Sequence, residues 1–303
     1  MTHIFILNPF AGIKMFADDL RSKLEEMPDL DYFIIGVRRP GDEAEVVRRA
    51  LDIFEGEKLR FYVCGGGGTF QKVLNGFEDL DDIEIAYYPC GNSNDFIRSF
   101  GDDAERFYNI EELIFGDVIN VDYIKTNHGV CINSFSFALD VNVNRTVESV
   151  RPMRSLGIGV PYDIAISHAM LYTKPIDIKI QTDEKTFSGK IIQGYFGNGG
   201  YFSAGVHMSD GIINDGLGTL ILMRPRPIVA QLITLCGMRK KKSEDFKKYA
   251  AFDVKTKKFE LSNANGKPVA ACLDGVQVDG VTDWHVEIVH RGLHLIVPKG
   301  VRL

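Results

Sequence analysis

Residues 63–76 read VCGGGGTFQKVLNG. An apolar, strand-like run (LRFYVCGG, 59–66) passes through four consecutive glycines and a threonine into a helical stretch, TFQKVLNGF (69–77). Glycine reaches φ > 0 and lets a ligand approach the backbone. At a strand-to-helix junction the free N–H groups of the first turn and the helix dipole favour an anion. Thr69 adds a hydroxyl. Four consecutive glycines cost more backbone entropy than a plain tight turn requires, so the run reads as an anion- or phosphate-binding turn. It lacks the Lys-Ser/Thr of a Walker P-loop, and Phe70 and Gln71 stand where a GxGxxG fingerprint has its last glycine. The glycines carry no charged side chain, although phosphate chemistry usually employs a nearby carboxylate for the metal or the proton.

Outward from this turn, strand and helix signals alternate. HIFILN (3–8), DYFIIGV (31–37) and IEIAYYPCG (83–91) are strand-like. Residues 14–27 place Met15, Phe16, Leu20, Leu24 and Met27 at helical spacing, and 42–54 reads as a helix entered through Pro40-Gly41, with Asp42 as its N-cap. A short helix is expected over 94–101. This alternation predicts a parallel α/β layer fold. From about residue 121 the chain turns to β-runs separated by Gly, Asn and Asp turns, which predicts an antiparallel sandwich or barrel. Helical stretches interrupt it at 161–172 and after Pro227 (IVAQLITLCGM).

With 303 residues, 45% hydrophobic and 25% charged, the chain can build a large core and two domains. Its formal net charge of −6 argues against a general nucleic-acid binder. Cys64, Cys90, Cys131, Cys236 and Cys272 are dispersed and odd in number, as in a cytoplasmic protein with reduced thiols. The N-terminus lacks the pattern of a signal peptide.

A second polar turn, PCGNSNDFIR (89–98), follows the strand 83–91; on its own it reads equally as a helix start capped by Asn94 or Asp95. Taken with the glycine turn, it makes the chain resemble the diacylglycerol kinase catalytic family, including soluble bacterial lipid kinases and sphingosine-kinase-like relatives. The family's GGDGTxNEVVNG is matched from Gly65 to Gly76, and its PxGTxNDFAR from Pro89 to Arg98. Asn8-Pro9, Arg38 to Ala44, Asp122, NSFSFALD (133–140), GNGGYFSAG (197–205), NDGLGTL (214–220) and CLDG (272–275) fall in the family's order.

The resemblance implies an α/β nucleotide domain over 1–122, rejoined by roughly 295–303, and a β-sandwich lipid-kinase domain over 123–294. It implies ATP in the interdomain cleft, held with Mg²⁺ and contacted by Asn8, Arg39, Gly65, Gly66, Gly67, Gly68, Thr69, Asn75, Gly91, Asn92, Asn94 and Asp95. Asp122 and Asp215 would support a divalent ion; for Asp215 an ordinary turn role is equally open. The acceptor would be a diacylglycerol- or sphingosine-like lipid alcohol.

Two acids of the family pattern are absent. The GGDGT aspartate is Gly67, and the D-G-E glutamate is Val276. Loss of a general base typically costs on the order of 10²–10⁴ in rate. Weakened or lost catalysis is therefore expected, with Asp274 or Asp279 as displaced bases. A non-catalytic nucleotide- or lipid-binding relative and an NAD-kinase-like enzyme are the alternatives. Residues 239–258, from Arg239 to Lys258, hold nine basic and three acidic side chains. They read either as a solvated face or as a contact with anionic lipid headgroups at a membrane surface. A homodimer is left open. His285, His290 and His294 are expected to be structural or surface residues, and the Asn144 sequon to be unused.

Overall fold

The computed structural model describes residues 1–10, 16–91, 94–154, 162–203, 205–227, 230 and 250–303. Asn92, Cys236, most of the apolar segment 228–238 and the first part of the basic segment, 239–249, lie outside the described residues.

Strands β1 (Thr2–Leu7), β2 (Tyr32–Gly36), β3 (Leu59–Gly65) and β4 (Glu84–Pro89) alternate with helices α1 (Phe16–Glu25), α2 (Glu43–Ile53) and α3 (Gly67–Leu74). The strands pair in parallel in the order β2-β1-β3-β4. Central β1 is buried at all six positions, as a strand covered on both faces must be. α2 turns Val46, Val47 and Ala50 into this core. α3 crosses it closely at Gly76, where a Cβ would come within 2.9 Å of the Ala44 backbone. Asp42 does not cap α2: its φ/ψ is already helical and its side chain makes no capping bond. Glu43 stabilises this start instead, its Oε2 accepting the Gly41 N–H at 2.7 Å. The helix expected over 94–101 is a 3₁₀ segment, Ile97–Tyr108, broken at Gly101 (φ 57°).

The second half is an antiparallel sandwich, as the β-runs predict. One sheet continues the first-half sheet. The last strand, Asp283–Val297, pairs in parallel with β4 at 294–296 and antiparallel with β5 (Asp117–Thr126) over 286–297. Its other edge carries Lys258–Asn263, Ile176–Thr182 and Thr186–Ile191. The facing sheet runs Ala250–Thr256, Gly218–Met223, Gln193–Gly197, Ser134–Ala138, Ala271–Leu273, Val276–Val278. Trp284, Phe135, Phe259 and Phe196 fill the space between them, and the Trp284 indole donates to the Val269 carbonyl at 2.8 Å. Two helices, Leu139–Arg154 and Tyr162–Tyr172, pack on each other beside the facing sheet. The sequence patterns place no helix over the first. Its Val141, Asn142, Val143 and Asn144 are poor helix formers, and the helix begins immediately after Ala138 turns the chain at φ 70°.

The last strand serves both halves through a break in register between Val289 and Leu293, where Arg291 sits at φ 52°. Asp122, fully buried on β5, holds this bulge. Its Oδ1 accepts the Arg291 N–H at 2.7 Å and lies 3.0 Å from His290 Nδ1; its Oδ2 accepts the Gly216 N–H at 2.7 Å. Asp122→Ala removes the shared acceptor of these three groups and is expected to lower stability by about 3 kcal/mol. Urea unfolding of the two proteins measures the difference.

Candidate functional site

The glycine turn is a meeting of two backbones. Gly66 is the N-cap of α3, in extended conformation, with Gly67 the first helical residue. The second turn comes in from β4: Cys90 donates its N–H to Gly65 O at 2.9 Å, and a Cβ on Gly91 would lie 2.6 Å from Gly66 Cα. Gly65 and Gly66 are glycines for the same reason, Gly65 because a Cβ would meet Thr69 at 2.6 Å. Gly67 differs: a Cβ there meets nothing within 4 Å. The first-turn amides of α3 thus open onto free space that no packing requirement fills.

That space is a cleft of about 740 Å³. Its floor is Asn8, Gly66, Gly68 and Thr69; its far wall is Asn144, Arg145 and Glu148 from the helix Leu139–Arg154 with the turn Gly275, Val276 and Gln277. Val276 Cγ2 would be 3.5 Å from a Cβ on Gly68, so the turn carrying Val276 approaches the glycine turn one residue beyond Gly67. Asn8 ties the floor together. Its Nδ2 donates to Thr69 Oγ1 at 2.9 Å and to Glu43 Oε1 at 3.3 Å, while its Oδ1 accepts the Phe10 N–H. Buried Glu43 also pairs with Lys72 Nζ at 3.6 Å. Lys72 and Arg145 bring two cations to the cleft lining. Glu43, Lys72, Arg145 and Glu148 were not singled out from sequence; Lys72, one helical turn after the glycines, was the detectable one.

The remaining sequence candidates divide by what they bind. Asn75 bridges the two halves, accepting the Val130 N–H at 2.9 Å and donating to Val130 O and Gln71 O. Asn94 is held by the Tyr87 hydroxyl and donates to Gly91 O and Tyr108. Asp95 accepts the Gly205 N–H at 2.7 Å and lies 3.7 Å from Arg98. Arg39 is exposed, next to Pro40 of the cleft lining. Asp122 is the clasp of the bulge, and Asp215 pairs with Lys255 at 3.6 Å and accepts the Leu217 N–H. Among the described residues no group of three or more His, Cys, Asp or Glu is placed to hold a metal ion.

The two expected substitutes for the missing base have other partners. Asp274, at φ 48°, turns its carboxylate away from the cleft onto the amides of Ile132, Asn133 and Ser134, the closest at 2.7 Å. Asp279 is exposed and paired with Arg145 at 2.7 Å. Neither is presented to the cleft as a free base.

A separate apolar cavity of about 90 Å³ lies between the two helices and the facing sheet, lined by Val143, Ile166, Met170, Val206, Met208 and Met223 among others. Asp140 is its buried polar group. Ser136 donates to Asp140 at 2.5 Å, and the Asp140 N–H donates to Gln193. Arg224 and Arg226 also line it. Asp140 was not singled out from sequence, where NSFSFALD stood only as a segment in the family's order; nothing local in the sequence marks a cavity.

Burial raises the pKa of Asp274 from its ordinary 3.8 to about 6, assisted by the charge of Asp95 and opposed by the three amides. Asp140 is raised to about 6 by burial, opposed by the Ser136 hydroxyl. A carboxyl with a higher pKa folded than unfolded binds its proton more tightly in the native state. Its contribution is fully present below pH 3.8 and is lost as pH rises to about 6. Asp274→Asn is expected to flatten the stability profile across that window, read from urea midpoints at stepped pH. Gly91→Ala is expected to force the two turns apart and cost about 1–3 kcal/mol, checked by the same unfolding measurement.

Comparison with known proteins agrees with this geometry. The chain is 26% identical over 229 residues to "Probable lipid kinase YegS-like" from Shewanella frigidimarina, covering 74% of this chain and 72% of that protein. It is 36% identical over 106 residues to "Putative lipid kinase YtlR" from Bacillus subtilis, about 33% of each. A diacylglycerol kinase structure from Bacillus anthracis str. Sterne superposes with a TM-score of 0.72 at 18% identity, covering 99% of this chain and 98% of that one, which establishes the shared fold. Residues 2–126, which hold both glycine turns and the buried Asp122, match the diacylglycerol kinase catalytic domain.

Proposed function

We propose that the protein is an ATP-dependent lipid kinase with weakened catalysis, acting on a diacylglycerol- or sphingosine-like alcohol. The observation that carries this is the cleft in which the open amide turn of α3 faces Val276. The first-turn amides, Lys72 and Arg145 suit the phosphates of ATP: amides at a helix N-terminus and flexible cations both favour an anion. The lipid hydroxyl oxygen forms the new bond to the γ-phosphorus, the bond from phosphorus to the bridging oxygen breaks, and ADP leaves. Transfer through a loose transition state asks more of positioning and charge than of a base, so the proton can pass to water. The apolar cavity beside Asp140 suits the lipid's hydrocarbon end.

The donors around the glycine turn do not fit a Mg²⁺ site. Gly67 offers no carboxylate, and Glu43 is already engaged by Gly41, Asn8 and Lys72. Lys72 and Arg145 take up part of the neutralising role instead. The same substitutions favour a second reading, a relative that binds nucleotide or lipid without turning it over.

Transfer of labelled γ-phosphate from ATP to a panel of lipid alcohols tests this, with the native protein beside the double variant Gly67→Asp, Val276→Glu. Position 67 has room for the aspartate. The expected result is slow transfer by the native protein and a rise of about 10²–10⁴ in the variant. Tight nucleotide binding with no transfer by either protein would select the second reading.

A further inference from the structure

The helix Tyr162–Tyr172 is apolar on two opposite sides. Ala165, Ile166, Ala169 and Met170 are buried, Ile166 and Met170 forming part of the cavity wall. Ile164, His168, Leu171 and Tyr172, at i, i+4, i+7 and i+8, form one continuous stripe on the outer side. All four are exposed, Ile164 by 57%, Leu171 by 63% and Tyr172 by 69%. A surface helix normally turns charged residues to water; a helix apolar all round is covered by something else. The sequence YDIAISHAMLY holds one carboxylate, Asp163, at its start, and no lysine or arginine.

We propose that this outer stripe is the membrane-docking face of the protein, lying in the headgroup boundary of an anionic bilayer. Continuity with the cavity points to this occupant: the wall that lines the apolar cavity is, on its other side, the exposed stripe. At about 90 Å³ the cavity is far below the roughly 300 Å³ at which pockets begin to enclose a drug-sized ligand. A bound lipid therefore leaves most of its chains outside, where only a bilayer accommodates them. Charge points the same way. Lys174 follows the helix by two residues, and Arg224 and Arg226 line the cavity, with Lys174 and Arg224 exposed. An apolar and aromatic stripe bordered by cations is the pattern of an interfacial helix at an anionic surface. Among the described residues no helix is long and apolar enough to cross the bilayer, so the contact is peripheral. The docking surface assigned is this helix, and most of the basic segment 239–258 lies outside the described residues. Of that segment's described part, Lys255 and Lys258 lie on strands, paired with Asp215 and Asp183. The choice of a lipid surface rests on the lipid-kinase reading, but its measurement does not need turnover.

The test is co-sedimentation of the full chain with phosphatidylcholine vesicles, with and without added phosphatidylglycerol, for the native protein and the triple variant Ile164→Ser, Leu171→Ser, Tyr172→Ser. These side chains are exposed, and circular dichroism and urea unfolding verify that the variant folds. The native protein is expected to partition onto the phosphatidylglycerol vesicles and the triple variant at least about tenfold less. Arg224→Gln is expected to reduce only the part of binding that depends on phosphatidylglycerol. Equal partitioning of native and triple variant, or no partitioning of the native protein, overturns the proposal. So does a change from dimer to monomer in the triple variant with vesicle binding unaltered, which assigns the stripe to a second copy of the chain. Transfer to a short-chain, water-soluble lipid alcohol separates the two readings: if both proteins show it equally while only the native one binds vesicles, docking and kinase activity both stand. If neither shows it while the vesicle difference remains, docking stands and the kinase reading falls.

Discussion

The carboxylate of Asp122 is the constraint on which the two halves depend. The last strand must pair with β4 in parallel near its end and with β5 in antiparallel fashion along most of its length. Both pairings lie in one sheet, and the register with β5 shifts between Val289 and Leu293 at a bulge, with Arg291 in the left-handed region. A bulge leaves amides without a ladder partner, and an amide shielded from water without an acceptor costs about 1–3 kcal/mol. Asp122 supplies the acceptor and extends it to Gly216, so one buried side chain joins β5, the last strand and the 213–216 turn. The cleft follows from this joint. The turn Gly275–Gln277 and the helix Leu139–Arg154 belong to the second half, and they meet the glycine turn only because the shared sheet fixes the halves together.

A second buried acid plays the same part nearer the chemistry. Asp274 gathers the amides of residues 132–134, which orients the turn carrying Val276 toward Gly68. Asn75 does comparable work from the first half, closing the gap between α3 and the Gly129–Cys131 strand. The cleft walls are therefore held by polar groups aimed at backbone, while the surface facing the cleft carries few carboxylates.

The sequence announces the parts whose signals are local. Alternating strands and helices around the glycine run show the parallel layer, because continuous apolar runs and 3.6-residue spacing are set by burial within a few residues. The glycine run and Pro89-Cys90-Gly91 are legible as turns, and the structure adds that Gly91 must be glycine because a Cβ there would lie 2.6 Å from Gly66 Cα. What was not legible depends on partners distant in the chain. Asp122 and Asp274 look like ordinary site acids until His290, Gly216 and the 132–134 amides come beside them. The helix Leu139–Arg154 is hidden by β-branched residues and asparagines whose weak propensity tertiary packing overrides. Asp140 becomes notable only when the two helices close a cavity over it.

The fate of the acids separates folding from chemistry. Asp122, Asp274 and Glu43 remain, and each accepts backbone N–H groups. Gly67 and Val276 stand where the resemblance expects acids that serve the reaction, and position 67 is not crowded: a Cβ there meets nothing within 4 Å. Removing a backbone-binding acid costs the fold several kcal/mol, whereas removing a cleft acid costs the fold almost nothing and the reaction up to about four orders of magnitude. A chain that keeps the first kind and drops the second keeps its shape, its amide turn and its cleft. The cations of the cleft lining, Lys72 and Arg145, stay paired with Glu43 and Asp279.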